Sequence, residues 1–156
     1  MKLADIQFQE PSFAQAEAVR LLSLRFATLD NWLRYQHFAP GRDQSGKRVF
    51  SFEDLLAIEA TDMLVALFKM PPSVAAKMGR RASANFAPNF SQYAAWVNSD
   101  GVIHSRDDEH FYYVRDGDDA REVGAEEQQA NSVMLALPVS SLAVELLQKI
   151  KASGAT

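Results

Sequence analysis

The chain has no cysteine. That excludes disulfide staples, thiol nucleophiles and zinc sites built on thiolates, and it agrees with a reducing compartment. Nor does any apolar run approach the ~20 residues that a membrane-spanning helix needs, and the first residues lack the pattern of a signal peptide. A cytoplasmic protein with no membrane partner is therefore expected. A glycine-rich phosphate loop, a nucleophile elbow and a paired catalytic motif are all missing. So are internal repeats and low-complexity tracts. These absences point away from an enzyme and imply no cofactor and no metal.

What is present suffices for a packed core. Of the 156 residues, 47% are hydrophobic and 10% aromatic, which argues against wholesale disorder and allows one ordinary domain or a small domain plus an accessory one. The net charge of −4 is unevenly spread. Residues 1–90 carry 11 Lys and Arg against 9 Asp and Glu, whereas residues 91–156 carry 5 against 11. Between positions 20 and 48, Arg20, Arg25, Arg34, Arg42, Lys47 and Arg48 face only Asp30 and Asp43. Screening confines a surface field to about 10 Å, so a polyanion would respond to this local excess and the acidic half would turn away from it. Charge of this size is also common on ordinary surfaces, and alone it decides little.

The segment Ser12 to Leu56 organises the rest. Ser12 with Gln15 has the spacing of a capping box, and Ala16, Val19 and Leu22 recur at helical spacing behind it. Beyond Leu22 the apolar phase shifts to Leu24, Thr28, Leu29, Trp32 and Leu33, so a second short helix packed on the first is expected. One unbroken helix from Ser12 to Tyr35 is the alternative, because no Gly or Pro interrupts the run. Pro40 and Gly41 stop the second helix. Gln44-Ser45-Gly46 then forms a turn between Arg42 and Lys47-Arg48-Val49-Phe50. Ser51 offers a fresh N-cap with Asp54 in the first turn, and Leu55, Ile58, Met63 and Leu67 carry a helical face onward. Helix, turn, helix, basic hairpin and helix is the layout of a winged helix-turn-helix.

These residues carry a resemblance to a known family. Leu24, Thr28-Leu29, Trp32-Leu33-Arg34, Pro40, the strand Gly46-Lys47-Arg48-Val49-Phe50 and Ser51-Phe52-Glu53-Asp54-Leu55 resemble the DNA-binding domain of MerR-family regulators and of the related phage excisionases. The likeness covers about 40 of 156 residues. It departs from the family at Ser23, where a turn Gly is usual, at Arg25, where a capping Ser is usual, and at Asp30, where Arg is frequent. The resemblance implies the fold and DNA binding, but not which sequence is bound.

In a helix-turn-helix, residues from the N-terminal part of the second helix reach base edges in the major groove. The expected outward positions are Arg25, Ala27, Asp30, Asn31, Arg34 and Tyr35. Arg25 can bond guanine and Asn31 adenine, each in bidentate fashion. Arg34, Tyr35, Arg42, Lys47 and Arg48 are suited to phosphates, and Thr28 completes the expected DNA-contacting set. For each, a solvated surface role is the plain alternative. Asp30 would repel phosphate, so it either accepts from cytosine N4 or pairs with Arg34 four residues on, and the ion pair is the expectation. Trp32 falls on the core phase.

The remainder reads as further structure around this unit. Met1 to Pro11 should hold a short extended piece with Ile6 and Phe8. The third helix, Phe52 to Phe68, is more apolar than a small winged domain can bury, which suggests a second copy of the chain against it. Pro71-Pro72 opens a fourth helix, in which Lys77, Arg80 and Arg81 suit the helix dipole or could touch phosphate. From Tyr93 the pattern becomes strand-like: Tyr93–Val97, Val102–Ser105, His110–Arg115, Ala120–Val123 and Val133–Leu137. Turns are expected at Asp100-Gly101 and Asp116-Gly117 and a polar stretch from Gly124 to Asn131. Pro138 should end the last strand, and Ser140 or Ser141 should cap a final helix with Leu142, Leu146, Leu147 and Ile150 on one face. His104, Asp107, Asp108, Glu109 and His110 could ligate a metal, although a solvated turn fits their composition better. Trp96, Phe111, Tyr112 and Tyr113 could line an effector pocket or simply pack a sheet.

The expected class is thus α+β: a mostly helical winged helix-turn-helix unit over residues 1–90, then an accessory unit over 91–156 with an antiparallel sheet and a C-terminal helix, for dimerisation or sensing. The expected partner is double-stranded DNA, bound by a homodimer on a palindromic site to regulate transcription. An architectural recombination factor of the excisionase kind and a protein–protein adaptor with a helix-turn-helix that has lost DNA contact are the alternatives.

Overall fold

The computed structural model describes residues 2–100, 111–115, 119–123 and 135–154. Its class is α+β, and the N-terminal elements follow in the expected order. Their boundaries differ at the start. Ser12 caps nothing: its N–H donates to the Phe50 carbonyl at 2.9 Å and its Oγ to the Glu10 carbonyl at 3.1 Å. The backbone there is extended, as strand β1 (Phe13–Ala14). Helix α1 (Gln15–Leu21) begins behind Ala14 with no side-chain cap. Ala18 and Leu21 are buried, with Leu22 just past the helix, while Ala16 is exposed. The true apolar stripe is therefore offset from the expected one, because β1 rather than a helical turn carries the entry of the chain.

Leu22 and Arg25 are both extended, with ψ of 144° and 146°. The helix breaks between them without Gly or Pro, which excludes the unbroken alternative. Helix α2 (Phe26–Arg34) then buries Leu29, Trp32 and Leu33. The hairpin of β2 (Gly41–Arg42) and β3 (Arg48–Phe50) joins β1 in a three-stranded antiparallel sheet with β3 central. Helix α3 (Phe52–Phe68) starts on the expected capping box: Ser51 Oγ accepts the Asp54 N–H at 3.0 Å, and the Asp54 carboxylate accepts the Ser51 N–H at 2.9 Å.

The apolar surplus of α3 is absorbed within the chain. Helices α4 (Pro72–Phe86) and α6 (Val139–Gly154) lie against it, and Leu55, Leu56, Ile58 and Leu64 are wholly buried. A second copy is not required to cover them; only Leu67 and Phe68, at the far end, stay exposed. Close approach of α3 and α4 depends on Gly79, where a Cβ would collide with the Thr61 hydroxyl and lie 2.7 Å from the Ala57 carbonyl oxygen.

Two further expectations are corrected. Residues before β1 form a 3-10 turn at Leu3–Asp5 rather than an extended piece, with Leu3, Ile6 and Phe8 buried. The expected strand Tyr93–Val97 is helix α5 (Phe90–Asn98), whose buried residues Phe90, Tyr93 and Val97 share one helical face. A five-residue apolar run has no period of its own to separate the two states. Asp100 adopts the left-handed conformation expected of it, with φ of 56°.

A second antiparallel sheet holds β4 (Phe111–Arg115), β5 (Asp119–Val123) and β6 (Leu135–Pro138) in the order β5-β4-β6. Helix α6 starts at Val139, so Ser140 and Ser141 lie inside its first turn rather than at its cap. The expected strand Val102–Ser105, the turn at Asp116-Gly117 and the stretch Gly124–Asn131 lie outside the described residues. A single cluster of buried side chains runs from Leu3 to Ile150 and draws on both sides of residue 90. Among the described residues no helix is long and apolar enough to cross a membrane.

Candidate nucleic-acid interface

Because α2 buries Leu29, Trp32 and Leu33 on one side, its helical period turns Ala27, Asn31 and Arg34 to the other. These three are exposed, as are Arg25 and Tyr35 at the two ends; Thr28 and Asp30 are half-buried on the flanks. Tyr35 is 72% exposed and stacks on His37, with ring centres 6.1 Å apart. Trp32 is core, packed on Phe38 at 6.1 Å. The expected ion pair is present: Arg34 donates to Asp30 at 2.8 Å. Asp30 also stands 3.9 Å from Arg48 of the hairpin. One carboxylate thus faces a cation of α2 and a cation of the wing, and it ties the two elements together.

The wing is shaped by its own tip. The Asp43 carboxylate accepts the Ser45 hydroxyl at 2.7 Å, the Ser45 N–H at 2.8 Å and the Lys47 N–H at 2.9 Å. These donors, the Ser45 hydroxyl foremost, hold its pKa below the usual carboxylate range. Gly46 takes the positive φ of 81° that closes the turn, and its carbonyl accepts from Arg42 at 2.6 Å. Behind the tip, Arg42 and Arg48 are direct cross-strand neighbours. Like charges in that register destabilise a hairpin, and an anion between or beside them would relieve the repulsion. Together with Lys47 they border an open cleft of about 400 Å³ against the start of α1.

Behind α2, two residues that periodicity did not single out hold the turn. Glu59 of α3 is only 7% exposed, and its carboxylate accepts the Ser23 N–H at 2.5 Å. Lys149 of α6 donates to the Leu21 carbonyl at 3.2 Å and to the Ser23 hydroxyl at 3.3 Å. Burial pushes the Glu59 pKa up, while the Ser23 N–H and the Lys149 charge pull it back. Backbone groups left unpaired where α1 stops find partners in this way from two distant helices. A carboxylate in the middle of so apolar a helix was the available signal, since such a group needs a donor once buried. Lys149 left no comparable trace.

Other expected residues fall elsewhere. Lys77, Arg80 and Arg81 sit in the middle of α4 and not in its last turn, where a helix dipole has little hold on them; with Glu53 they line an open concavity. Trp96 belongs to α5 and packs edge-on against Tyr93 at 5.0 Å, while Phe111, Tyr112 and Tyr113 lie in β4. His104, Asp107, Asp108, Glu109 and His110 lie outside the described residues. Among those described, no group of three His, Asp or Glu could hold a metal.

Comparison of the chain with protein-family models, with curated proteins and with solved structures returns no match.

Proposed function

We propose that the chain binds double-stranded DNA with sequence preference and regulates transcription, with α2 in the major groove and the hairpin along the phosphate backbone. The observation that carries this reading is the bare outer face of α2 standing beside a basic two-stranded wing, the two joined through Asp30. A helix and a hairpin in this relation reach a groove and its flanking backbone at once. In this reading Arg25 and Asn31 address base edges, with Thr28 on the flank. Arg34, Tyr35, Arg42, Lys47 and Arg48 address phosphates, which set position without reading sequence. The resemblance of residues 19–56 to MerR-family regulators points the same way. A homodimer on a two-fold site would match that reading, and Leu67 and Phe68, exposed at the end of α3, are apolar surface that a second copy would cover.

Titration of the whole chain with duplex DNA at two salt concentrations tests the proposal. The four cations among these phosphate contacts, Arg34, Arg42, Lys47 and Arg48, predict an affinity loss of roughly 150-fold between about 50 and 200 mM salt. Binding that is absent, or indifferent to salt, would overturn the reading in favour of a protein partner.

A further inference from the structure

The first residue of α2 is an aromatic. Phe26 is 49% exposed, and among the described residues the other large apolar side chains left exposed are Tyr35, Leu67 and Phe68. Leaving a ring in water forfeits the stabilisation that burial would give. Among the described residues, Phe26 belongs neither to the buried core nor to the apolar side chains packed against it.

Its surroundings say what would cover it. Positions 26, 30 and 34 form an i, i+4 ridge along α2, next to the outward row of Ala27, Asn31 and Arg34. On that ridge Asp30 meets Arg48 of the wing at 3.9 Å, so Phe26 stands one turn ahead of that contact, at the edge of the helix that borders the wing. Arg25 before it and Ala27 after it are also exposed. Arg25, directly before it, is an exposed cation, and the wing beyond Asp30 carries the exposed Arg42 and Lys47, which favours a polyanion over an apolar or basic protein surface. On DNA, the N-terminal turn of a groove-bound helix meets base edges, and the apolar feature displayed there is the C5 methyl of thymine.

We infer that Phe26 is a base-reading residue that selects thymine through its methyl group. The inference rests on the DNA-binding reading and adds to it a base identity and a side chain outside the polar set.

Selection of bound duplexes from random DNA with the whole chain would first define a preferred site. Each thymine of that site is then replaced in turn by deoxyuridine, which removes the methyl and leaves the hydrogen-bonding edge intact. Expected is a loss of about fourfold in affinity at one position of the site, the worth of one methyl group taken out of water. Phe26→Ala should bind the thymine and uracil versions equally, and Phe26→Leu should keep part of the discrimination, while both bind random DNA as the wild type does. Uracil tolerated at every position, or a loss that persists in Phe26→Ala, overturns the thymine assignment and leaves DNA binding standing. A uniform loss on random DNA in Phe26→Ala overturns it as well, by making Phe26 a backbone or folding residue. Absence of salt-dependent DNA binding by the wild type overturns both readings together.

Discussion

Asp30 governs the electrostatics of the interface. Its pair with Arg34 is exposed on the arginine side, and its contact with Arg48 is half-buried but long, at 3.9 Å, so their net contribution to stability is small, about 0–1 kcal/mol. In the proposed DNA complex its larger effect would fall on binding, because it would withhold cations from phosphate and repel phosphate itself. Asp30→Asn should leave thermal stability nearly unchanged, raise DNA affinity about three- to tenfold and steepen the salt dependence by about one phosphate contact. Weaker binding in the same titration would show instead that Asp30 accepts from a base. Glu59 illustrates the opposite case, a charge whose effect falls on the fold. Its pKa is raised above the ordinary 4.5, chiefly by burial, so the folded chain holds a proton that the unfolded chain gives up. That stability is fully present below about pH 4.5 and is lost as pH rises through the folded-state value. Asp62, also raised by burial, adds in the same direction. Urea midpoints should therefore fall with rising pH across this window, and Glu59→Gln should flatten the fall without abolishing it; an unchanged slope in the variant would exclude Glu59 as its source.

Among the elements, the α3–α4 pair is the scaffold on which the turn and wing are mounted. Its close contact is written into Gly79, beside the Ala57 carbonyl and Thr61, with Thr61 Oγ1 turned back to the Ala57 carbonyl at 2.7 Å and Ser83 Oγ bonded to the Glu53 carbonyl at 2.8 Å. An added methyl has no room unless the helices separate. Gly79→Ala should cost about 1–3 kcal/mol in denaturant unfolding, the usual penalty of overpacking, despite the better helix propensity of Ala. A neutral or stabilising result would show that the two helices pack less tightly than this. Because α3 also carries Glu59 and begins directly after β3, the same substitution should weaken DNA binding by loosening the turn and the wing together.

At the scale of the whole molecule, helices α5 and α6 and Leu137 from the C-terminal side of residue 90 are packed into the same core as the N-terminal elements. Helix α6 lies against α3, α5 and α1, Lys149 holds the turn ahead of α2, and Lys151 pairs with Asp100 at 2.6 Å. One cooperative unfolding transition is the consequence. The chain's two tryptophans, Trp32 in α2 and Trp96 in α5, report on either side of residue 90. In the variants Trp96→Phe and Trp32→Phe, each leaving one reporter, the urea midpoints should coincide once corrected for the effect of the substitution on global stability. Separate transitions within either variant, followed by fluorescence and by far-ultraviolet circular dichroism, would mean two units that unfold independently.

Ser51 and Asp54, Pro71-Pro72 and the turn at Ser45-Gly46 were legible because each acts on residues a few positions away, and such local stops and caps are what order helix, turn, helix and hairpin along the chain. The same locality misled at Ser12, where pairing with Phe50 outcompeted a cap, and at Tyr93–Val97, where five apolar residues fit a strand or a helix equally well. By itself the sequence determined the order helix, turn, helix, hairpin and helix up to Phe68 and the cationic character of residues 20–48. Tertiary structure alone decided that Glu59 and Lys149 close the turn, that Arg48 meets Asp30 and that Phe26 is left bare. Those facts depend on which elements come to lie side by side, and contacts between residues as far apart as Ser23 and Lys149 leave no mark in the periodicity of either neighbourhood.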